Sequence, residues 1–365
     1  MTMKFKKHLV DLKRVRTSLG RDMESGLCLD RNERVTPLPQ KNLEEIRNLI
    51  TSATLSCYPE PDSLYCKLAQ YFGKEEGNFY ITNGITEAIH VIYETLTNPG
   101  DEVIVIDPTF PMYSVYAKAF QVNYKSVGFN ADLSLKTDQL YEMINDKTAF
   151  VCLPNPNLPI ESYLSVSEIK KLVQKCKDHN VWLFVDEAYG CFGAESAVNL
   201  IDEFDNLILF QTFSKAYGMA GIRVGFMVGE KNVIDYLAKT RSLVESNGLS
   251  MAIAEYMLEH SEIMGDYVRE TKLGRDFLRE ELDSMKICWY GGDYTNAMLI
   301  FLQDADAVKD LVSFLKQKKI YIRASFEAPL DRCVRLTLGP KAAMEKFLEG
   351  FCEWKKLTIS EETFI

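Results

Sequence analysis

Within QTFSKAYGMAGIRVGFMVG (Gln211 to Gly229) one lysine, Lys215, follows the hydroxyl residues Thr212 and Ser214 and precedes Arg223 by eight positions. An amine can form an imine with an aldehyde, and hydroxyls with a guanidinium can hold a phosphate. Upstream, Asp186 closes the apolar run in VWLFVDEAYG, 29 residues before Lys215. A carboxylate at the carboxyl end of a buried parallel strand stands where open α/β sheets bind ligands. It can keep a pyridine nitrogen protonated, so that the ring absorbs electrons, while Tyr189 can donate to a phenolic oxygen. Each residue alone has a plainer reading: a solvated lysine after a strand, a helix-capping aspartate, a core tyrosine. Together they form the set that pyridoxal 5′-phosphate requires.

The surrounding pattern supplies elements able to position that set. From Phe79 onward, strands alternate with helices, which predicts a largely parallel sheet covered by helices. Expected strands are Phe79 to Thr82, Val103 to Ile106, Phe150 to Leu153, Val181 to Val185 and Leu207 to Phe210. Between the first two, NGIT (Asn83 to Thr86) opens a helix with Ile89, Ile92, Tyr93 and Leu96 at helical spacing. Its free N–H groups and dipole suit a phosphate. Ser165 and Glu168 form a capping box for a second helix, with Ile169, Leu172, Val173 and Cys176 on one face. Phe110, in DPTFPMY, can stack on a ring, although core packing is the ordinary role of a phenylalanine.

A two-domain chain follows from 365 residues: an N-terminal arm over 1–40 belonging to the small domain, a large domain over 41–240, and a small α+β domain over 241–365. The last carries charged helical stretches, short strands at Ala297 to Leu302, Tyr321 to Arg323 and Cys333 to Leu338, and a closing helix. A net charge of −10 argues against a nucleic-acid surface, and no apolar run approaches a membrane span. Nine scattered cysteines, with no C-x-x-C pair, read as reduced thiols of a cytoplasmic protein. Four dispersed histidines make a catalytic zinc site unexpected.

The series LDRNER, TNGITEAI, PGDEVIVIDPTFPMY, VDEAY, TFSKAYGMAGIRVGF and VRLTLG resembles the class I and II pyridoxal-phosphate aminotransferases of fold type I, nearest to the histidinol-phosphate aminotransferase branch. The resemblance implies that Lys215 is the Schiff-base lysine and proton carrier, that Asp186 pairs with the pyridinium, and that Tyr189 contacts the phenolic oxygen. It implies that Phe110 stacks on the ring and that Thr212, Ser214, Arg223 and the backbone of Ile85 and Thr86 hold the phosphate. Tyr58, in CYPEP, resembles a tyrosine reaching the phosphate of a neighbouring subunit's cofactor, which implies a homodimer with shared sites. Arg335 matches the arginine on the substrate carboxylate, Arg323 one on a substrate phosphate, and Asn296 lines the same pocket. The substrate implied is small and anionic.

One stretch departs from the family. Where the family reads N-P-N-N-P-T-G, this chain has NPNLPIE, Asn155 to Glu161. Leu158 replaces an asparagine expected at the phenolic oxygen, and Asn157 could take its place. The expected reaction is transamination from L-glutamate to a small phosphorylated carbonyl compound. The alternative is decarboxylation of phosphoserine or phosphothreonine. A silent cofactor-binding regulator is disfavoured by the retention of Lys215, Asp186 and Arg223.

Overall fold

Runs such as Val103-Ile104-Val105-Ile106 and Phe150-Val151-Cys152-Leu153 have no polar face, as expected of strands covered on both sides, and all eight residues are buried. The computed structural model describes residues 5–10, 12, 20–324 and 326–362, the last five by backbone alone. Strand β1 (Leu27–Leu29) lies apart from the main sheet. Seven strands build that sheet: β2 (Phe79–Thr82), β3 (Glu102–Ile106), β4 (Asn123–Val127), β5 (Thr148–Pro154), β6 (Trp182–Asp186), β7 (Leu207–Thr212) and β8 (Gly225–Gly229). Their spatial order is β2-β8-β7-β6-β5-β3-β4, and β8 runs antiparallel to both its neighbours.

Two of these strands are absent from the sequence expectation. In β4 (NYKSV) only Val127 is buried, because the strand lies at the sheet edge and needs no apolar run. Strand β8 (GFMVG) is short and bounded by glycines, so its three apolar residues read as part of a turn. The capping box appears as expected: Ser165 N–H donates to Glu168 Oε2 at 2.8 Å, and Ile169, Leu172, Val173 and Cys176 are buried.

Alternation along the strands divides the large core into two layers. Ile104, Ile106, Val151, Leu153, Leu183 and Val185 pack with the helices Asp62–Phe72, Val166–Asp178 and Gly248–Glu259. Val103, Val105, Phe150, Cys152, Phe184 and Phe210 pack with Ile85–Leu96 and Met112–Phe120. Helix Gly248–Glu259 thus packs on the large core, although it lies beyond residue 241.

The smaller body contains β9 (Trp289–Tyr290), β10 (Ala297–Phe301), β11 (Ile320–Ile322) and β12 (Cys333–Thr337). Strands β12, β10 and β9 form an antiparallel sheet, while β1 pairs in parallel with β11, Leu27 opposite Ile320. The N-terminal segment therefore adds Leu29 to a core shared with Leu278, Leu336 and Phe347.

Helix Ser261–Ser284 tests how tightly this core is fitted. A Cβ on Gly274 would lie 2.0 Å from Gly339 O, whereas a Cβ on Gly265 of the same helix meets nothing within 4 Å. Gly274→Ala should therefore destabilise by about 1–3 kcal/mol or more through overpacking. Gly265→Ala should stabilise by about 0.5–1 kcal/mol through helix propensity. Chemical denaturation of the two variants measures both signs.

Candidate active site

The carboxyl ends of β2, β3, β5, β6 and β7 open onto one crevice, and the chain places its polar groups there. Asp186, the last residue of β6, is buried and accepts from Tyr113 O–H at 2.9 Å and Ala188 N–H at 3.0 Å. Burial pushes its carboxyl up to about 6, although both hydrogen bonds and the Lys215 charge oppose the shift. Lys215 follows β7; its Nζ donates to Arg31 O at 3.0 Å and stands 5.6 Å from the centre of the Tyr189 ring. Glu187, beside Asp186, serves the fold: it is buried and accepts from Ser196 Oγ at 2.6 Å and Ala197 N–H at 2.7 Å.

A cluster of hydroxyl and guanidinium groups lies at the other end of the crevice. Thr212 Oγ1 and Ser214 Oγ are 3.0 Å apart, and Arg223 Nη1 reaches Ser214 Oγ at 3.4 Å. Arg223 Nη2 donates to Asn83 O at 3.5 Å, which lays its guanidinium across Gly84. A Cβ on Gly84 (φ 74°) would lie 2.5 Å from Arg223 Nη2, so only glycine fits this turn. Gly84 caps helix Ile85–Leu96 without any side-chain hydrogen bond, so no side chain caps the first N–H groups of this helix. Among the described residues, Arg223 forms no ion pair with a carboxylate.

The opposite wall belongs to the smaller body. Arg335 Nη2 donates to Asp30 O at 3.0 Å, while its buried Nε has no partner. Burial and the neighbouring Arg323 work against the Arg335 charge, while Tyr189 and the Asp30 carboxylate support it. Arg323 and Arg335 exchange backbone hydrogen bonds of 3.1 and 2.7 Å, which brings the two arginines side by side. Asn296 is fully buried; its Nδ2 donates to Asn32 O at 3.3 Å and its Oδ1 is unpartnered.

Two groups escaped sequence reasoning. Asn32 Nδ2 donates to Tyr189 O–H at 2.8 Å, fixing that ring's hydroxyl, and its backbone N–H donates to Thr337 Oγ1 at 3.0 Å. The available signal was LDRNER itself, since an asparagine readily adopts the left-handed φ of 57° found there. Tyr113 lies in DPTFPMY beside the selected Phe110, but its spacing says nothing of a partner 73 residues away. Phe110 is 44% exposed at the start of the same helix. Asn157 is buried; its Nδ2 donates to Pro108 O at 3.1 Å and Ile160 O at 2.9 Å, and its Oδ1 has no partner among the described residues. Tyr58 is 85% exposed and shares no hydrogen bond with the groups of its own crevice among the described residues.

The family profile described as aminotransferase class I and II matches residues 22–351. This chain belongs to that family. It is 32% identical over 331 residues to a histidinol-phosphate aminotransferase of Thermoanaerobacter pseudethanolicus, covering 89% of this chain and 92% of that one. It is 28% identical to the protein of the same name from Clostridium beijerinckii, covering 88% of each. Its fold matches histidinol-phosphate aminotransferase from Sinorhizobium meliloti, solved in complex with pyridoxal 5′-phosphate, with a TM-score of 0.85 at 21% identity over 98% and 99% of the two chains. The protein is thus a pyridoxal-phosphate aminotransferase of fold type I, and these comparisons do not favour the decarboxylase alternative.

The residues of this aminotransferase fit that cofactor: an arginine without a carboxylate faces a helix N-terminus at one end, and a buried aspartate lies at the other. The Asp186 value sets a pH dependence. A protonated Asp186 carries no charge for a cationic ring nitrogen, so cofactor affinity should fall as pH drops through about 6, by up to roughly tenfold per unit. Tyr113→Phe removes a bond that favours the carboxylate, raising its proton affinity further. The variant should lose cofactor at a higher pH than the parent, as read by absorbance titration.

Proposed function

We propose that this aminotransferase moves an amino group from L-glutamate to a small phosphorylated carbonyl compound of the histidinol-phosphate type. The carrying observation is the Arg335 guanidinium, partly unpartnered and beside Arg323 with no carboxylate to neutralise either among the described residues. A half-buried guanidinium with an unpartnered N–H favours an anion, and its planar fork suits a carboxylate held by two bonds. The names of the relatives support the phosphorylated acceptor.

When bound, pyridoxal 5′-phosphate holds the migrating amino group and draws electrons from the carbon that loses its proton. The chain supplies the rest. Thr212, Ser214, Arg223 and the N–H groups of Ile85 and Thr86 bind phosphate, and Asp186, oriented by Tyr113 and Ala188, neutralises the ring nitrogen. Tyr189, held by Asn32, fixes the phenolic oxygen, Phe110 covers the ring, and Arg335 and Asn296 orient the substrate carboxylate. Lys215 Nζ, presented at the centre by Arg31 O, carries the proton from one side of the reacting system to the other.

The working unit in this reading is a cytoplasmic homodimer. Ile50, Leu55, Tyr58 and Leu243 are 52%, 64%, 85% and 93% exposed, an apolar surface that a second copy would cover while Tyr58 reached its partner's cofactor phosphate. The cytoplasmic placement draws support from nine cysteines that are all free thiols.

Titration of the yellow holoprotein with L-glutamate tests the reaction. The visible absorbance should shift to that of the aminated cofactor, and Lys215→Ala should abolish turnover. No shift with glutamate, together with release of carbon dioxide from phosphoserine or phosphothreonine, would reject transamination. Arg323→Ala should weaken phosphorylated acceptors by about tenfold or more while leaving glutamate nearly unaffected; equal losses would remove Arg323 from the phosphate.

A further inference from the structure

The two residues that stand in place of the family's T-G pair, Ile160 and Glu161, both face the smaller body. Ile160 is 3% exposed and packs with Leu299, Leu330 and Cys333. Glu161 extends its buried carboxylate into the loop between β9 and β10. Oε2 accepts from Gly292 N–H at 3.1 Å, Tyr294 N–H at 3.2 Å and Thr295 Oγ1 at 2.7 Å, and Oε1 accepts from Asp293 N–H at 2.9 Å. Three successive amides can converge on one carboxylate because Gly291 and Gly292 have φ of 88° and 91°. Tyr290 O–H also donates to Glu161 O at 2.7 Å, and the Tyr163 and Tyr294 rings stack 4.3 Å apart.

This clamp ends one residue before Asn296, and the strand that follows pairs Leu299 with Arg335. The other face of the loop is held from helix Ser261–Ser284, where Arg279 donates to Gly291 O at 2.7 Å and Arg275 to Gly292 O at 3.2 Å. The loop is therefore fastened to both bodies, with Glu161 reaching it from the loop after β5 of the large sheet and Arg275 and Arg279 from helix Ser261–Ser284. We propose that Glu161 is a positioning residue for substrate, setting Asn296 and Arg335 at a fixed separation from Lys215. The proposal rests on the reading of Arg335 as the carboxylate-binding group. It gives the altered NPNLPIE stretch a use: a loop that has exchanged a ring-facing asparagine and a T-G pair for a hold on the substrate wall.

The test compares wild type with Glu161→Gln, whose amide keeps one acceptor and sets N–H against N–H. Maleate, a dicarboxylate with no amino group to transfer, is titrated into each holoenzyme by calorimetry, and amide hydrogen exchange is read over 292–295. Exchange should quicken, the melting temperature should fall by a few degrees, and the maleate Kd should rise by about tenfold, with cofactor absorbance close to wild type. An unchanged maleate Kd overturns the proposal, as does a loss of cofactor parallel to the loss of maleate, which would mark a general structural role. Should Glu161→Gln fail to fold, Thr295→Val removes one donor of the four, and a rise of about threefold is expected; no rise overturns the proposal. A wild type that binds maleate but ignores L-glutamate would leave the clamp standing and reject glutamate as donor. A wild type that binds no maleate would reject both the clamp and the role of Arg335.

Discussion

Lys215 and Arg335 come from opposite bodies of the chain, yet they rest on consecutive backbone carbonyls, Arg31 O and Asp30 O, each at 3.0 Å. A carbonyl dipole steadies a cation without cancelling its charge, so both remain available to a substrate that is itself charged. A carboxylate at either position would fill the site with an internal ion pair. The carboxylate that is nearby, on Asp30, is paired with Arg21 at 2.9 Å. Asn32 completes the segment by reaching Tyr189 on one side and Thr337 on the other. Three residues of main chain thus tie the wall that carries Lys215 and Tyr189 to the wall that carries Arg335 and Thr337, and β1, just before them, anchors the segment through its pairing with β11.

The large sheet imposes the second constraint. Parallel strands point their carboxyl ends one way, so groups distant in sequence gather at a single rim. Close approach there demands missing side chains. Gly84 lets Arg223 lie across the turn, and a Cβ on Gly225 would meet Gly84 Cα at 3.0 Å. Electrostatics follow from the same geometry. Asp186 is buried enough to hold its proton up to about 6, and Tyr113 and Ala188 oppose that shift, so the group is poised to gain most from a cationic partner.

Much of the fold was legible because its elements obey one-dimensional rules. Apolar runs marked the buried strands β3, β5, β6 and β7, and the Ser165–Glu168 pair marked a helix start by purely local hydrogen bonds. Edge strand β4 left no such trace, since its polarity is set by position in the sheet. In the site, Lys215, Asp186 and Arg223 could be selected because their residue types are unusual together. Asn157 illustrates the limit: its type suited the cofactor, but only the fold shows that its Nδ2 donates to Pro108 O and Ile160 O while its Oδ1 is left without a partner. Glu161 marks the limit from the other side, since it read only as a departure from a motif.

The amino-acid sequence alone determined the family, the alternation of buried strands with helices, and a set of candidate groups for the chemistry, because residue type, spacing and periodicity act over short stretches of chain. The tertiary structure decided which groups meet: Tyr113 with Asp186, Asn32 with Tyr189, and Glu161 with three amides more than 130 positions away. Such pairings arise where a buried polar atom must find a partner among whatever the fold brings within about 3 Å. No local pattern encodes that choice, because the partner is selected by the packing of two bodies and not by the residues that flank either group.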